Sequence, residues 1–315
     1  MKWLSSTEVV AFDVRDRVAT ITLNRPQKRN AISQTMLREY GQALLEADDR
    51  QEVNVIVVQG AGRDFCAGFD LGGVYAGRAE DAARSNAELY RSISDTFDDD
   101  CWGMERMQDV LLLPWSVHKP VVAKVHGNCL AGGTDIAFTC DIVVAAEDAR
   151  IGFPAVRANG MPLSHMWTYH LGPQWARRLM FTGDCLTGRD AARAGLVLDA
   201  YPAAELDEQV HELARRISCV DAELLAAHKR AANLSLELMG ARTLQRLDAE
   251  LDARAHLSSG PRRSRFKADM AAHGLKTALH YRDEPFGDGA VRIGARTSTS
   301  PGDGNQCTGD AARLR

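Results

Sequence analysis

Two glycine-rich segments, far apart in the chain, carry the residue pattern best suited to chemistry. Residues 60–73 follow an apolar run at 53–57 that is typical of a buried strand. Residues 127–137 follow a second apolar run at 121–125, and their apolar end at 136–140 predicts a short buried helix. Glycine lets backbone approach a ligand closely, and the N–H groups at a helix start favour an anion. One N–H from each segment would form a two-donor oxyanion hole.

The two segments have a simpler interpretation when each is taken alone. A tight turn between a strand and a helix explains either one, because glycine is common in such turns. The same strand–glycine–helix context occurs twice, however, and this recurrence favours a shared site over two unrelated turns.

The chain resembles the crotonase (enoyl-CoA hydratase/isomerase) superfamily through an ordered set of short motifs. The motifs are Asn24-Arg25-Pro26, Arg29-Asn30-Ala31, Phe65-Cys66-Ala67-Gly68-Phe69-Asp70-Leu71, Lys119-Pro120-Val121-Val122-Ala123, Ala131-Gly132-Gly133-Thr134-Asp135, Cys140-Asp141-Ile142, Phe181-Thr182-Gly183-Asp184 and Ala194-Gly195-Leu196-Val197. Together they cover roughly residues 8–288 in the order found in the family. Each motif is weak alone, and the order makes the set specific.

The resemblance implies an α/β fold, in which repeated β-β-α units form a crotonase-type spiral. Residues 1–204 would form this core, with an insertion around residues 74–118. Residues 205–288 would form a helical C-terminal region that builds a homotrimer or homohexamer. We expect residues 289–315, which contain few apolar side chains, to be a disordered tail.

The family likeness also assigns roles around an acyl-CoA thioester. The oxyanion donors would be the backbone N–H groups of Phe69 and Gly132. Substrate and coenzyme A contacts would come from Lys28, Arg29, Ala31, Ala67, Gly68, Asp70, Leu71 and Ala155. Lys28 and Arg29 are placed near the anionic phosphates of coenzyme A, although such a pair is more often simply solvated.

The acid–base groups are where the chain departs from the family. Hydratases of this family use two glutamates, the first of which corresponds to Asp135 and the second to Ala155. Asp135 retains a carboxylate, which could act as an acid–base group or simply cap a helix start. Alanine cannot transfer a proton, so we considered Arg157, His165 and His170 as replacements. His165 is the catalytic candidate among them, since histidine titrates near neutral pH.

We therefore expect an acyl-CoA thioester enzyme that stabilises an enolate and resembles an enoyl-CoA hydratase. One alternative is an isomerase or acyl-CoA hydrolase that uses Asp135 without the second glutamate. Another is a catalytically silent protein that binds acyl-CoA. Intact glycine loops and Asp135 favour an enzyme, whereas Ala155 favours the silent alternative.

Composition narrows the class of partner. The 315 residues are 45% hydrophobic and 25% charged, as in an ordinary globular protein, and the net charge of −4 argues against nucleic acid as the main partner. No apolar run reaches membrane-spanning length. Seven cysteines without a paired spacing indicate neither disulfides nor a metal site, and suit the cytoplasm. We expect no cofactor beyond the coenzyme A of the substrate.

Local patterns predict several elements that frame these loops. Residues 9–14 and 18–23 predict a hairpin, and Ser33 is expected to cap the following helix. The acidic residues 98–100 are expected in a solvated loop, and residues 196–198 are expected to form a short strand.

Overall fold

The computed structural model describes residues 1–72, 91 and 96–294. The strands are β1 Val10–Arg15, β2 Val18–Leu23, β3 Val55–Gly60, β4 Val121–Val125, β5 Asn128–Leu130, β6 Ile142–Ala146, β7 Arg150–Gly152, β8 Cys185–Thr187, β9 Asp199–Tyr201 and β10 Ala290–Val291. The α-helices are α1 Gln34–Asp49, α2 Phe97–Leu111, α3 Leu113–Ser116, α4 Gly132–Thr139, α5 Trp167–Thr182, α6 Gly188–Ala194, α7 Leu206–Ser218, α8 Ala222–Leu238, α9 Ala241–His256 and α10 Pro261–Asp283. Short 3-10 helices occupy Pro26–Lys28, Pro154–Arg157 and Glu284–Phe286.

A mostly parallel six-stranded sheet forms the centre of the chain. Its strand order is β1-β2-β3-β4-β6-β9, and only the predicted hairpin, β1 with β2, is antiparallel. Parallel strands are covered on both faces, which explains why β3 is a nearly continuous apolar run with five of six residues buried. Since the carboxyl ends of parallel strands meet at one edge, the loops after β3 and β4 emerge side by side.

A second, four-stranded sheet has the order β10-β8-β7-β5. In it, Ala290 pairs with Cys185 and Val291 pairs with Leu186. The ordered chain therefore continues past residue 289, where the sequence predicted that a disordered tail begins. Residues 295–315 of that tail lie outside the described residues.

Four helices, α7 to α10, follow the last strand of the large sheet, as expected for the helical C-terminal region. Asn54 ties α7 to the sheet, because its side chain donates to the backbone oxygens of Ser218 and Val220. The division of the chain at residue 204 stays a prediction. Among the described residues, no helix combines the length and apolarity needed to cross a membrane.

Three local predictions need correction, while the Ser33 cap is confirmed by a bond from Met36 N. The third strand begins at Val55 rather than residue 53, and residues 196–198 precede strand β9 rather than forming one. The acidic residues 98–100 lie in the first turn of α2 instead of a loop. Carboxylates are favourable there because they face the positive end of the helix dipole. Part of the predicted insertion, at 74–90 and 92–95, lies outside the described residues.

Asn30 fastens the segment before α1 to the loop after β3. Its buried side chain accepts from Arg25 N at 2.9 Å and donates to the oxygens of Ala61 and Asp64 at 2.9 and 2.7 Å. We expect Asn30→Ala to lower the unfolding free energy by about 2–4 kcal/mol, because three buried polar groups lose their partner. Urea unfolding would measure this change. The exposed Asn24 provides the control, and an equal effect of Asn24→Ala would contradict the prediction.

Candidate functional site

The two glycine-rich loops are bonded directly to each other. Cys66 lies opposite Cys129 in a parallel bridge, with Cys66 N donating to Asn128 O and Leu130 N donating to Cys66 O, both at 2.9 Å. Asp64 adds a side-chain link, since its Oδ1 accepts from Asn128 N at 3.0 Å. The loops therefore form one unit, in which a shift of one displaces the other.

The amides of Phe69 and Gly132 are the free donors of this unit. Within the described residues, neither N–H donates to any protein oxygen, whereas the adjacent amides of Asp70 and Ala131 donate to Ile32 O and Gly152 O. Gly68 brings the loops together: a Cβ added there would lie 3.2 Å from Gly132 N and 2.8 Å from Ala131 Cβ. Gly68 also has a φ of +100°, so glycine is required on both grounds.

Ala131 fixes the direction of the Gly132 amide by adopting a strained backbone. Its φ of 49° and ψ of −124° are unusual for a residue with a side chain. The strain is held from both sides, because Ala131 N donates to Gly152 O at 3.0 Å and Ala131 O accepts from Thr134 N at 2.8 Å and from Thr134 Oγ1 at 2.7 Å. Such strain concentrates where a functional group must be aimed.

The Phe69 ring lies against Gly132. A Cβ added to Gly132 would lie 2.8 Å from Phe69 Cε2 and 3.1 Å from Ile32 Cδ1. Glycine at 132 thus leaves room for the aromatic ring beside the two amides. The ring supplies an apolar wall next to the proposed oxyanion hole.

Asp135 lies one turn into α4, directly beyond the Gly132 amide, and is 1% exposed. Its Oδ1 accepts from Ser164 N at 3.1 Å and from Ser164 Oγ at 3.2 Å, whereas Oδ2 has no partner among the described residues. Burial, together with the nearby negative charge of Asp252, raises the pKa of the Asp135 carboxyl to about 7. A carboxyl that titrates near neutral pH is suited to accept and return a proton.

This raised pKa predicts a pH-dependent stability. Between about pH 4 and pH 7 the folded chain keeps a proton that the unfolded chain has released, so unfolding becomes easier as pH rises. Asp135→Asn removes this penalty. We expect its unfolding free energy, relative to that of wild type, to increase by about 1.4 kcal/mol for each pH unit between about pH 4 and pH 7. Urea unfolding at pH 4 to 8 measures it, and a pH-independent difference would contradict the raised pKa.

Most of the predicted coenzyme A residues lie in the first glycine-rich loop or in the segment before α1 that is hydrogen-bonded to it. Lys28 and Arg29 are exposed, and Arg29 turns the chain with a φ of 51° while its oxygen accepts from Ala67 N at 3.0 Å. Arg25 donates to Ala31 O at 2.6 Å and pairs with Asp70 Oδ2 at 2.9 Å. Asp70 is thus engaged in an ion pair that braces the loop.

Leu71 and Ala155 are half-buried, and they belong to different parts of the chain. Leu71 follows the first loop, while Ala155 lies in the 3-10 helix after β7. The Ala155 oxygen accepts from Asn159 N at 2.7 Å within its own turn. The methyl group of Ala155 supplies no acid–base group at this position.

The three proposed replacements for the second glutamate differ in their contacts. Arg157 forms ion pairs with Asp184 and Asp283, both at 3.1 Å. These contacts are structural, because they join the 3-10 helix that carries Arg157 to two later segments of the chain. His170 Nε2 lies 3.2 Å from the Phe138 oxygen, which is also a structural contact. His165 stays a prediction: burial lowers its pKa, and its Nδ1 has no partner among the described residues.

Two groups beside Asp135 were missed in the sequence. Ser164 binds the Asp135 carboxylate through its backbone N–H. The next residue, His165, donates its backbone N–H to the carboxylate of Asp248 on α9 at 3.1 Å. The only available signal was a polar residue on the apolar face of α9, where Asp248 is 1% exposed. Helical periodicity marks that face, but cannot say which distant loop it meets.

The family model described as Enoyl-CoA hydratase/isomerase matches residues 13–264. A crystal structure of an enoyl-CoA hydratase from Mycobacterium smegmatis superposes with a TM-score of 0.81 and 38% identity, covering 90% of this chain and 96% of that one.

Two curated relatives give the same result. EchA13 of Mycobacterium tuberculosis, which carries a provisional enoyl-CoA hydratase name, is 33% identical over 74% of this chain and 76% of its own length. The 2,3-dehydroadipyl-CoA hydratase of Escherichia coli is 30% identical over 71% of this chain and 81% of its own length.

Proposed function

Because the chain belongs to the enoyl-CoA hydratase/isomerase family, we propose that it adds water to the double bond of an enoyl-CoA thioester. The observation that carries this proposal is the pair of bonded loops with free amides at Phe69 and Gly132. Two such donors stabilise the negative charge that develops on the thioester oxygen as water attacks. The enolate formed in this way is the intermediate of the reaction.

Asp135 is the acid–base group in this proposal. Its unpaired Oδ2 is buried close behind the Gly132 amide, on the same helix turn that presents the donor. A carboxyl with a pKa near 7 takes a proton from water as its oxygen attacks the β-carbon. Asp135 then returns this proton to the α-carbon of the enolate, which completes the addition and restores the carboxylate.

Recognition of the substrate is assigned to the first glycine-rich loop, to residues 28–31 before α1, and to Ala155. The exposed cations Lys28 and Arg29 would meet the phosphates of coenzyme A. Ala31, Ala67, Gly68, Asp70, Leu71 and Ala155 would line the path of the thioester. We propose no cofactor besides coenzyme A itself.

A panel of enoyl-CoA esters tests the reaction. Hydration removes the absorbance of the conjugated thioester and incorporates labelled water oxygen into the product. Release of free coenzyme A thiol would instead identify a hydrolase, and a shifted double bond without water incorporation an isomerase. Binding without any turnover would contradict an enzymatic role.

Assembly and location are also part of the proposal. We propose a homotrimer or homohexamer built by the helical region, supported by exposed apolar side chains on and after α8, namely Leu234, Leu238 and Met239. Light scattering measures the mass, and a monomer would contradict it. The six described cysteines are free thiols, which supports the reducing cytoplasm as the location.

A further inference from the structure

One turn of the chain grips two carboxylates from two different helices. Ser164 N donates to Asp135 Oδ1 of α4, and the next amide, His165 N, donates to Asp248 Oδ2 of α9, each at 3.1 Å. Consecutive residues are only about 3.8 Å apart at their Cα atoms, so the two carboxyl groups are held at one turn, and the Asp135 charge acts on Asp248.

Each of these carboxyl groups has one oxygen left without a partner. Asp135 Oδ2 and Asp248 Oδ1 are buried and form no hydrogen bond within the described residues, and both side chains are 1% exposed. Nor does a lysine or arginine of the described chain form an ion pair with either one. Two neighbouring carboxylates in such a place cannot both be ionised without a large cost, whereas one shared proton removes most of it.

The residues around Asp135 and Asp248 add further negative charge and few positive groups that could offset it. From α9, Asp252 accepts from Met161 N at 2.9 Å and faces His256, whose Nδ1 lies 3.2 Å from Asp100 of α2. The remaining titratable or charged groups around the pair, among the described residues, are His165, Tyr169, Arg263, Cys66 and Cys129. Burial, together with the negative charges of Asp135 and Asp252, raises the pKa of Asp248 to about 8.

We propose that Asp135 and Asp248 form a carboxyl pair that holds one proton. In this pair Asp248 is the positioning residue, and it replaces the second family glutamate, which is Ala155 in this chain. The inference rests on the proposed hydration. Addition of water needs a base to accept one proton and an acid to deliver another. A pair that holds one proton offers both at once.

The proton count of the step balances. The water oxygen bonds to the β-carbon while one of its O–H bonds breaks and that proton enters the pair. The proton already held leaves the pair and forms the new C–H bond at the α-carbon. The pair therefore ends with one proton, as it began, and no oxidant or second reactant is needed.

The test compares Asp248→Asn with Asp252→Asn, two nearly isosteric changes on the same face of α9. Infrared titration of the substrate-free enzyme is expected to show a protonated carboxyl band that disappears between about pH 7 and pH 8. Asp248→Asn should shift this loss to lower pH, because Asp135 then ionises without its partner in the pair. Asp252→Asn also removes a negative charge near both carboxyl groups but leaves the pair intact, so it should produce the smaller shift. Absence of the band in the wild-type enzyme at pH 7 would overturn the pair, whether or not the enzyme hydrates enoyl-CoA.

The kinetic arm tests the link to the reaction. Asp248→Asn is expected to lower kcat about 10–100-fold with little change in KM, and to move the alkaline limb of the rate profile to lower pH. Introducing Ala155→Glu into Asp248→Asn should recover part of kcat. An unchanged pH profile in Asp248→Asn would overturn the proposed role. If wild type shows the band but no hydration, the proposed function fails while the pair stands.

Discussion

Asp135→Asn is expected to lower kcat for water addition by about 10²–10⁴-fold with a much smaller change in KM. The side chain lies in the first turn of α4, which begins at Gly132, and its buried Oδ2 has no partner among the described residues. Asparagine keeps the acceptor that binds Ser164 N but cannot exchange a proton. Steady-state kinetics with a short enoyl-CoA ester measures the loss.

The stability of the same variant separates chemistry from misfolding. Since the ionised Asp135 carboxyl is unfavourable in its buried site, Asp135→Asn should be at least as stable as wild type above pH 7 while being nearly inactive. Asp135→Glu, which restores a carboxylate of the length used by family hydratases, should retain far more activity than the asparagine variant. Full activity in Asp135→Asn would remove Asp135 from the mechanism.

Exchanging the amide between Ala131 and Gly132 for an ester, by placing glycolic acid at position 132, is expected to lower kcat/KM by about 10²–10³-fold. The exchange deletes one N–H and adds no side chain. It therefore avoids the clash with the Phe69 ring, which any larger residue would create at 2.8 Å. Single-turnover kinetics would place the loss in the chemical step.

Two controls make this experiment specific. Glycolic acid at the exposed Gly260, where no atom lies within 4 Å of an added Cβ, should leave the rate unchanged. The ester also weakens the Ala131 oxygen as an acceptor, and Thr134→Val reports how much that matters by deleting the 2.7 Å bond from Thr134 Oγ1. Equal losses at positions 132 and 260, or in Thr134→Val, would argue against a donor role for the Gly132 amide.

Much of the fold was predictable because it depends on local patterns. Apolar runs predicted buried strands β3 and β4, and the glycine clusters after them follow the carboxyl ends of parallel neighbours. Placement of the two loops in contact depends only on that topology. The predicted strand at 196–198 was wrong because an apolar run alone does not fix the register, and pairing with β6 selects Asp199–Tyr201 instead.

The parts of the site that were missed depend on contacts between distant segments. Nothing in the sequence around Ala131 predicts its positive φ. That conformation is held by the hydrogen bond from Ala131 N to Gly152 O and by the one from Thr134 N to Ala131 O. Asp248 belongs to a helix whose pattern predicts only a buried face. Its meeting with Asp135 requires the turn at Ser164 and His165, and no spacing in the chain encodes that turn.

The acidic residues 98–100 and the first residues of the predicted tail show a different limit. Their composition suits solvent, yet the carboxylates lie in the first turn of α2, which Thr96 caps, and Ala290–Val291 completes an edge of the small sheet. Composition measures average polarity, whereas a helix start or a sheet edge offers specific polar partners.

A crystal structure with a bound saturated acyl-CoA ester, which cannot be hydrated, tests the oxyanion hole most directly. The thioester oxygen should lie about 2.7–3.1 Å from both Phe69 N and Gly132 N, with the acyl α- and β-carbons facing Asp135. An oxygen bound by only one of these amides, or a thioester lying away from both, would contradict the two-donor site.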